Sequence, residues 1–386
     1  MDSAELTSAY SLLPEARNGT TSGLVYCIDM VRFRIRFRIM LAAALLAVSG
    51  CRSHEDVPLG KHLKPSIPLG LPPLPIPKDN PLTADSIALG RKLFFDRRLS
   101  RDNSVSCASC HDPAKAFTDG RRVSAGVAGT LGVRNAPTVL NAAYLKTLFW
   151  DGRAASLEDQ SGSPMQNSLE MDQNHMLTVF RVNADPEYRV LASKAFGSSS
   201  LDLARVEKAI AGFERTLLSG DSPFDRYQYG GDKSALTASQ IRGLAIFQDS
   251  ARGNCATCHS ISDHSALFTD QKFHNIGVGV ADDGSLTDTG RFQVTGNPAD
   301  RGAFRTPSLR DVALTAPYMH DGSEKTLKQV IEFYAGKGNS NPNLDPEMLK
   351  IHLSDQDRSD LVDFLKALNG NQPGQTAGSG SPRQEP

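Results

Sequence analysis

The sequence has no apolar run that makes a good membrane-spanning helix, since the stretch from Ile39 to Val48 stops short of the ~20 residues a bilayer core requires. Neither sign of charge prevails. A formal net charge of -1 gives no reason to expect a nucleic-acid partner, although local patches for docking a redox partner remain open. Strand-like alternation is scarce, and no βαβ pattern surrounds a cysteine pair, which argues against a thioredoxin-like domain. Tryptophan occurs once, as Trp150, and cysteine six times. The 386 residues, 39% hydrophobic and 22% charged, otherwise read as an ordinary soluble globular chain long enough for two domains with proper cores.

Four of the six cysteines stand in two pentapeptides, Cys107-Ala108-Ser109-Cys110-His111 and Cys255-Ala256-Thr257-Cys258-His259. Two cysteines followed at once by histidine are what covalent attachment of a c-type haem requires, with the thiols on the vinyl groups and the imidazole beneath the iron. A structural zinc site and a pair of redox disulfides are the competing readings. Zinc ribbons, however, usually bring two such pairs within a short span, and these lie most of a domain apart. Two c-type haems are therefore expected.

The remaining cysteines, Cys27 and Cys51, precede the globular part. From Met30 the chain reads as a basic stretch (Arg32, Arg34, Arg36, Arg38), then the apolar run, then Val48-Ser49-Gly50-Cys51. This ending resembles the lipobox of bacterial lipoproteins, with an ordinary secretory signal cut nearby as the alternative. Both readings export the protein, to the periplasmic side, where c-type haem is attached. Met30 and Met40 are alternative starts. The boundaries expected are a signal region at 1–50 and a proline-rich linker at 51–81. The linker's PSIPLGLPPLPIPKDNP can form neither a regular helix nor a central strand. It is either a semi-rigid spacer or a strap packed on the surface.

An internal repeat organises the rest. Leu82-Thr83-Ala84 with Ile87 is matched by Leu236-Thr237-Ala238 with Ile241, each opening a threonine-capped amphipathic helix that runs towards a cysteine motif. Pro137, Asp151, Gly152 and Leu157 parallel Pro307, Asp321, Gly322 and Leu327 at one offset. Apolar residues step by three and four at Leu203, Val206, Ile210, Phe213 and Leu217, and again at Leu361, Phe364, Leu365 and Leu368. The fold expected is all-α: two cytochrome c-like haem domains, at 82–231 and 232–371, related by duplication and rich in long loops, with a tail at 372–386.

The two cysteine motifs, the segment RNAPTVLNAAYLKTLFWDGRAASLEDQ and the segment FRTPSLRDVALTAPYMHDG together resemble the bacterial dihaem cytochrome c peroxidase and MauG superfamily, over roughly residues 82 to 370. The resemblance implies that the first haem is the peroxide site and that the second takes in or stores electrons. It also implies roles for named residues. Glu170 matches the distal carboxylate that moves a proton during O–O cleavage, and Gln160 the glutamine that orients peroxide. Trp150 matches the residue between the haems. Val127 falls at the position where many family peroxidases carry a sixth ligand to the first iron, and no histidine occurs between Asp112 and Asn174. The first haem should thus be open, unless Met165 or Met171 caps it.

At the second haem His259 is the proximal ligand, and Tyr334 stands where peroxidases of the family place methionine. MauG-type proteins carry tyrosine there, a hard ligand that favours ferric and higher states. Met319 is the alternative ligand, with His320, His274 and His264 behind it. Arg305 is expected at the surface by default, although its guanidinium has the geometry to pair with a haem propionate. Asn135, Thr315 and Pro317 occupy positions that hold a calcium ion in the family, although they also suit turns. The function implied is peroxide reduction with a small cytochrome c or cupredoxin as donor. A MauG-like oxidase acting on a protein or organic substrate and a non-catalytic dihaem carrier are the alternatives. A homodimer is one of the oligomeric states open to it.

Overall fold

The computed structural model describes residues 56–373. The export segment, Cys27, Cys51 and all but the start of the expected tail fall outside them. In the N-terminal half the helices are α1 (Ala84–Phe95), α2 (Cys107–Cys110), α3 (Leu157–Gln166), α4 (His175–Ala184), α5 (Pro186–Phe196) and α6 (Leu203–Glu214). They are followed by α7 (Pro223–Gln228), α8 (Ala238–Gln248), α9 (Phe292–Thr295), α10 (Leu327–Ala335) and α11 (Asp355–Lys366). The strands described are two residues each, β1 (Phe273–His274) antiparallel to β2 (Phe304–Arg305). The all-α expectation holds. Among the described residues no helix is long and apolar enough to cross a membrane.

Each half is built on one helix crossing. Thr83 caps α1 by accepting from Ser86 N, and Thr237 caps α8 in a box with Gln240, so both helices start where the threonines predict. The last long helix of each half then crosses the first, α6 over α1 and α11 over α8. The crossing points are glycines. A methyl group on Gly90 would overlap the Ala209 carbonyl oxygen, and one on Gly243 would overlap that of Asp360, so only glycine lets these backbones meet. Beside each crossing two phenylalanines pack edge to face, Phe94 with Phe213 at 5.3 Å and Phe247 with Phe364 at 5.2 Å. Separate cores follow, around Leu89, Leu93, Phe117, Val206 and Ile210 in one half and Phe268, Ile331 and Leu361 in the other. Helix α7, although it precedes residue 231, buries Phe224 in the second core.

The halves meet through a pseudo-twofold pair of backbone bonds. Asn135 N donates to His320 O at 2.7 Å, and Arg305 N donates to Trp150 O at 2.8 Å. Arg134 adds a bridge, bonding Asp151 in its own half at 2.6 Å and Asp288 in the other at 2.7 Å.

The described part of the proline-rich tract is a strap, not a free spacer. Leu69 exchanges bonds with Asp221, its N–H donating to Oδ1 and its carbonyl accepting from Asp221 N, each at 3.0 Å. Gly70 O accepts from Ala266 N at 3.0 Å and from Arg310 Nη2 at 2.7 Å. Leu71 is buried with Tyr144 and Leu218. Apolar side chains between the prolines supply this hold, which spacing alone does not reveal.

Candidate active site

Both motif histidines sit at the end of a short turn and are oriented by a backbone carbonyl. His111 Nδ1 lies 3.2 Å from Phe117 O and His259 Nδ1 lies 2.9 Å from Phe268 O. Donation from Nδ1 leaves Nε2 with its lone pair free, the tautomer an iron ligand needs. Burial pushes both imidazoles below their ordinary pKa and so keeps them neutral. It pushes the thiols the other way, Cys110 up to about 11 and Cys255 up to about 12. None of the four motif cysteines is in a disulfide. Among the described residues no group of three or more His, Cys, Asp or Glu is placed to hold a metal ion.

A cavity of about 870 Å³ in the N-terminal half is lined by Cys107, Cys110 and His111 together with Trp150, Gln160 and Glu170. Residues far apart in sequence thus converge as expected. Glu170 is held twice, by Asn167 Nδ2 donating to Oε1 at 2.7 Å and by Val127 N donating to its carbonyl at 2.8 Å. Burial raises its pKa above the ordinary carboxylate value, against the Asn167 bond and the Arg153 charge. Val127 itself is buried in a tight loop and does not line the cavity. Met165 is core, whereas Met171 is part of the core and of the cavity wall. His175, just past the histidine-free stretch, lies with Nε2 2.9 Å from Gly162 O and outside the cavity.

The second cavity is lined by Cys255, Cys258 and His259, and both Tyr334 and Met319 face it. Burial, then the two cysteines, raises the Tyr334 pKa. His274 is engaged at both nitrogens, 2.6 Å from Asp345 and 3.0 Å from Asp270. His264 is exposed and does not line the cavity. His320 stacks on Phe304 at 3.6 Å, with its Nε2 unpartnered.

Trp150, Arg305, His320 and Asn135 line both cavities and form the wall between them. Trp150 is fixed there by its Nε1–H, which donates to Asn135 O at 2.9 Å. Arg305 is not a surface residue. It is 4% exposed, donates from Nη1 to Thr306 O at 3.2 Å, and among the described residues has no carboxylate partner and no acceptor for its Nε. A buried guanidinium without an anion is costly, and the propionates of a bound haem are the anions that fit. The oriented imidazoles, the two thiols beside each of them and an Arg305 without an anion among the described residues all suit c-type haem.

Asn135, Thr315 and Pro317 lie together on the wall of the second cavity. Asn135 uses Nδ2 as a donor to Arg121 O at 2.9 Å, which leaves Oδ1 as a free oxygen. Glu214, which the sequence analysis did not single out, also lines the first cavity.

Comparison with known proteins agrees with this geometry. The di-haem cytochrome c peroxidase family matches residues 84–234, and the cytochrome c family matches residues 240–369. The methylamine utilization protein MauG of Methylophilus methylotrophus is 38% identical, over 87% of this chain and 96% of its own. Cytochrome-c peroxidase IdrP1 of Denitromonas iodatirespirans is 37% identical, over 88% of this chain and 94% of its own. Among solved structures, a MauG-like protein associated with microbial copper homeostasis superposes with a TM-score of 0.71 at 35% identity, covering 79% of this chain and 95% of that one. The dihaem peroxidase BthA of Burkholderia thailandensis gives a TM-score of 0.63 at 25% identity, over 80% and 96% of the two chains. The chain therefore belongs to the di-haem cytochrome c peroxidase and MauG family and carries two c-type haems.

Proposed function

We propose that this protein is a dihaem c-type peroxidase that reduces hydrogen peroxide to water in the N-terminal cavity, with electrons from a small cytochrome c or cupredoxin passing the second haem site and Trp150. One observation carries this reading: a single cavity gathers His111, Gln160, Glu170 and Trp150. When bound, the haem supplies an iron that accepts peroxide and passes electrons. The protein supplies the proton traffic. Glu170, half-buried and steadied by Asn167, takes a proton from one peroxide oxygen and returns it to the departing one. Gln160 orients the peroxide without competing for that proton. Trp150, pinned at both its ring nitrogen and its carbonyl, is the rigid relay between the cavities.

Stopped-flow absorption of the fully ferric protein mixed with hydrogen peroxide tests the reading. Rapid spectral change without prior reduction is expected, because Val127 offers no ligand. A reaction only after one electron is added would mean a hidden ligand, and none even then would favour the dihaem carrier.

Tyr334 favours a second reading, in which the same cavity serves a MauG-like oxidase acting on a protein or organic substrate. With phenolate ligation the second haem is a poor store of ferrous electrons. Tyr334→Phe is expected to alter the absorption and paramagnetic resonance spectra of that haem. Unchanged spectra would transfer the ligand role to Met319.

Calcium is held in this reading by Asn135 Oδ1 and the carbonyls of Thr315 and Pro317. Among the described residues no hydrogen bond is donated to these three oxygens, and oxygen ligation suits that ion. It would tie the halves beside the shared wall. The export signal supports a periplasmic location with a lipid anchor at Cys51, which the mass of the mature N-terminal peptide checks.

A further inference from the structure

Glu214 ends α6 and has no part in the chemistry assigned above. Its side chain is buried, 4% exposed, yet lines the N-terminal cavity beside Cys107 and Ile210. Its Oε2 has no hydrogen-bond partner among the described residues. The adjacent Arg215 gives it none, being turned to Glu158 in two bonds of 2.6 and 2.8 Å. A carboxyl left without a partner in such a place is costly, and stability alone does not account for it.

The second half shows what the position otherwise holds. Gly90 meets Ala209 and Phe213 where Gly243 meets Asp360 and Phe364, and that register matches Ile210, Phe213 and Glu214 of α6 with Leu361, Phe364 and Leu365 of α11. Ile210 and Glu214 line the first cavity, and Leu361 and Leu365 line the second. The same helix face meets each cavity. Leucine satisfies the packing in one half, so the acid in the other half answers to something besides packing.

We propose that Glu214 is a proton-loading carboxyl of the first haem cavity, which takes a proton from water as an electron enters and releases it as peroxide is reduced. The proposal rests on the N-terminal cavity being the peroxide site. Converting hydrogen peroxide to two waters consumes two electrons and two protons. The electrons come from the redox-protein donor. Glu170 returns to the peroxide a proton that it took from the peroxide, so it adds none to the balance. An electron entering the cavity removes one positive charge, which favours the neutral form of a nearby acid. In the chain without haem, burial raises the Glu214 pKa to about 8, with Arg215 opposing and Glu158 assisting, and the positive charge of a ferric haem would lower it, which leaves room for uptake on reduction. Besides Arg215 and Glu158, the same cavity is lined by the charged or titratable side chains of His111, Arg122, Arg134, Asp151, Arg153, Glu170, Asp288, Arg305, His320 and Asp321. Cys107 becomes an uncharged thioether once haem is attached.

The test uses the full haem-loaded chain, native and with Glu214→Gln and Glu214→Leu, the latter copying Leu365. Haem content and the ferric spectrum are measured first, which separates failure of the haem assignment from failure of this proposal. Proton uptake on electrochemical reduction of the first haem is then followed with an indicator dye in weakly buffered solution. Infrared difference spectra record carboxyl bands in parallel. The native protein is expected to take up a fraction of a proton per electron, with a carboxyl band that Glu214→Gln removes, and both variants are expected to lose most of the uptake. Glu214→Gln keeps the shape of the side chain, so it remains informative if Glu214→Leu does not fold. Uptake in Glu214→Gln equal to the native value, or a carboxyl band that persists in it, would overturn the proposal.

Discussion

Glu170→Gln is expected to lower kcat/KM for hydrogen peroxide by roughly 10²–10⁴-fold, the usual contribution of a positioned acid-base group. The substitution keeps the size of the side chain and an oxygen to accept from Asn167, so the cavity wall should stay in place. What it removes is the group proposed to move a proton from one peroxide oxygen to the other. Steady-state turnover with a reduced small cytochrome c is the measurement. Because the carboxyl must be ionised to accept the proton, and burial raises its pKa, the native rate should fall as pH drops through that raised value. This acid limb should be missing in the variant. A rate within about threefold of native would move the proton chemistry to another residue.

Asp225→Ala is expected to cost about 3–5 kcal/mol of stability, read as a lower urea midpoint of the haem-loaded protein. Asp225 and Arg310 form a bidentate pair, both bonds 2.9 Å, with side chains 0% and 1% exposed. Arg310 further donates to Ala266 O at 2.6 Å and to Gly70 O of the strap at 2.7 Å. Asp225 also accepts from Ser222 N and Oγ at the start of α7. Removing the carboxylate strands a charge in the interior and loosens strap, helix and loop together. Replacing both partners by apolar residues of similar size should cost less than the single change. A midpoint close to native for Asp225→Ala would mean that the guanidinium finds water or another anion.

Covalent attachment and helix starts were legible because they depend on local pattern. A cysteine pair followed by histidine, or a threonine placed to accept from a backbone N–H three residues on, needs no distant partner to be recognised. That Glu170, Gln160 and Trp150 share one cavity could be expected only through resemblance, since an isolated carboxylate or amide in a loop is ordinarily a solvated residue. Arg305 was expected at the surface and is buried, because burial is a property of what folds over a residue. Glu214 escaped for a related reason. On α6 it passes for a charged helix residue, and only its alignment with Leu365 marks it as an acid on an apolar stripe.

By itself, then, the sequence determined two haem-binding units, their helical character, the helix caps and the absence of a histidine near Val127, all of which are set by residues close to one another along the chain. The tertiary structure decided the rest. It set Trp150, Arg305 and His320 in one shared wall, folded the proline-rich tract down as a strap, and turned both Glu170 and Glu214 into a single cavity. These outcomes depend on long-range packing and on desolvation, and neither is encoded at the position where its effect is felt.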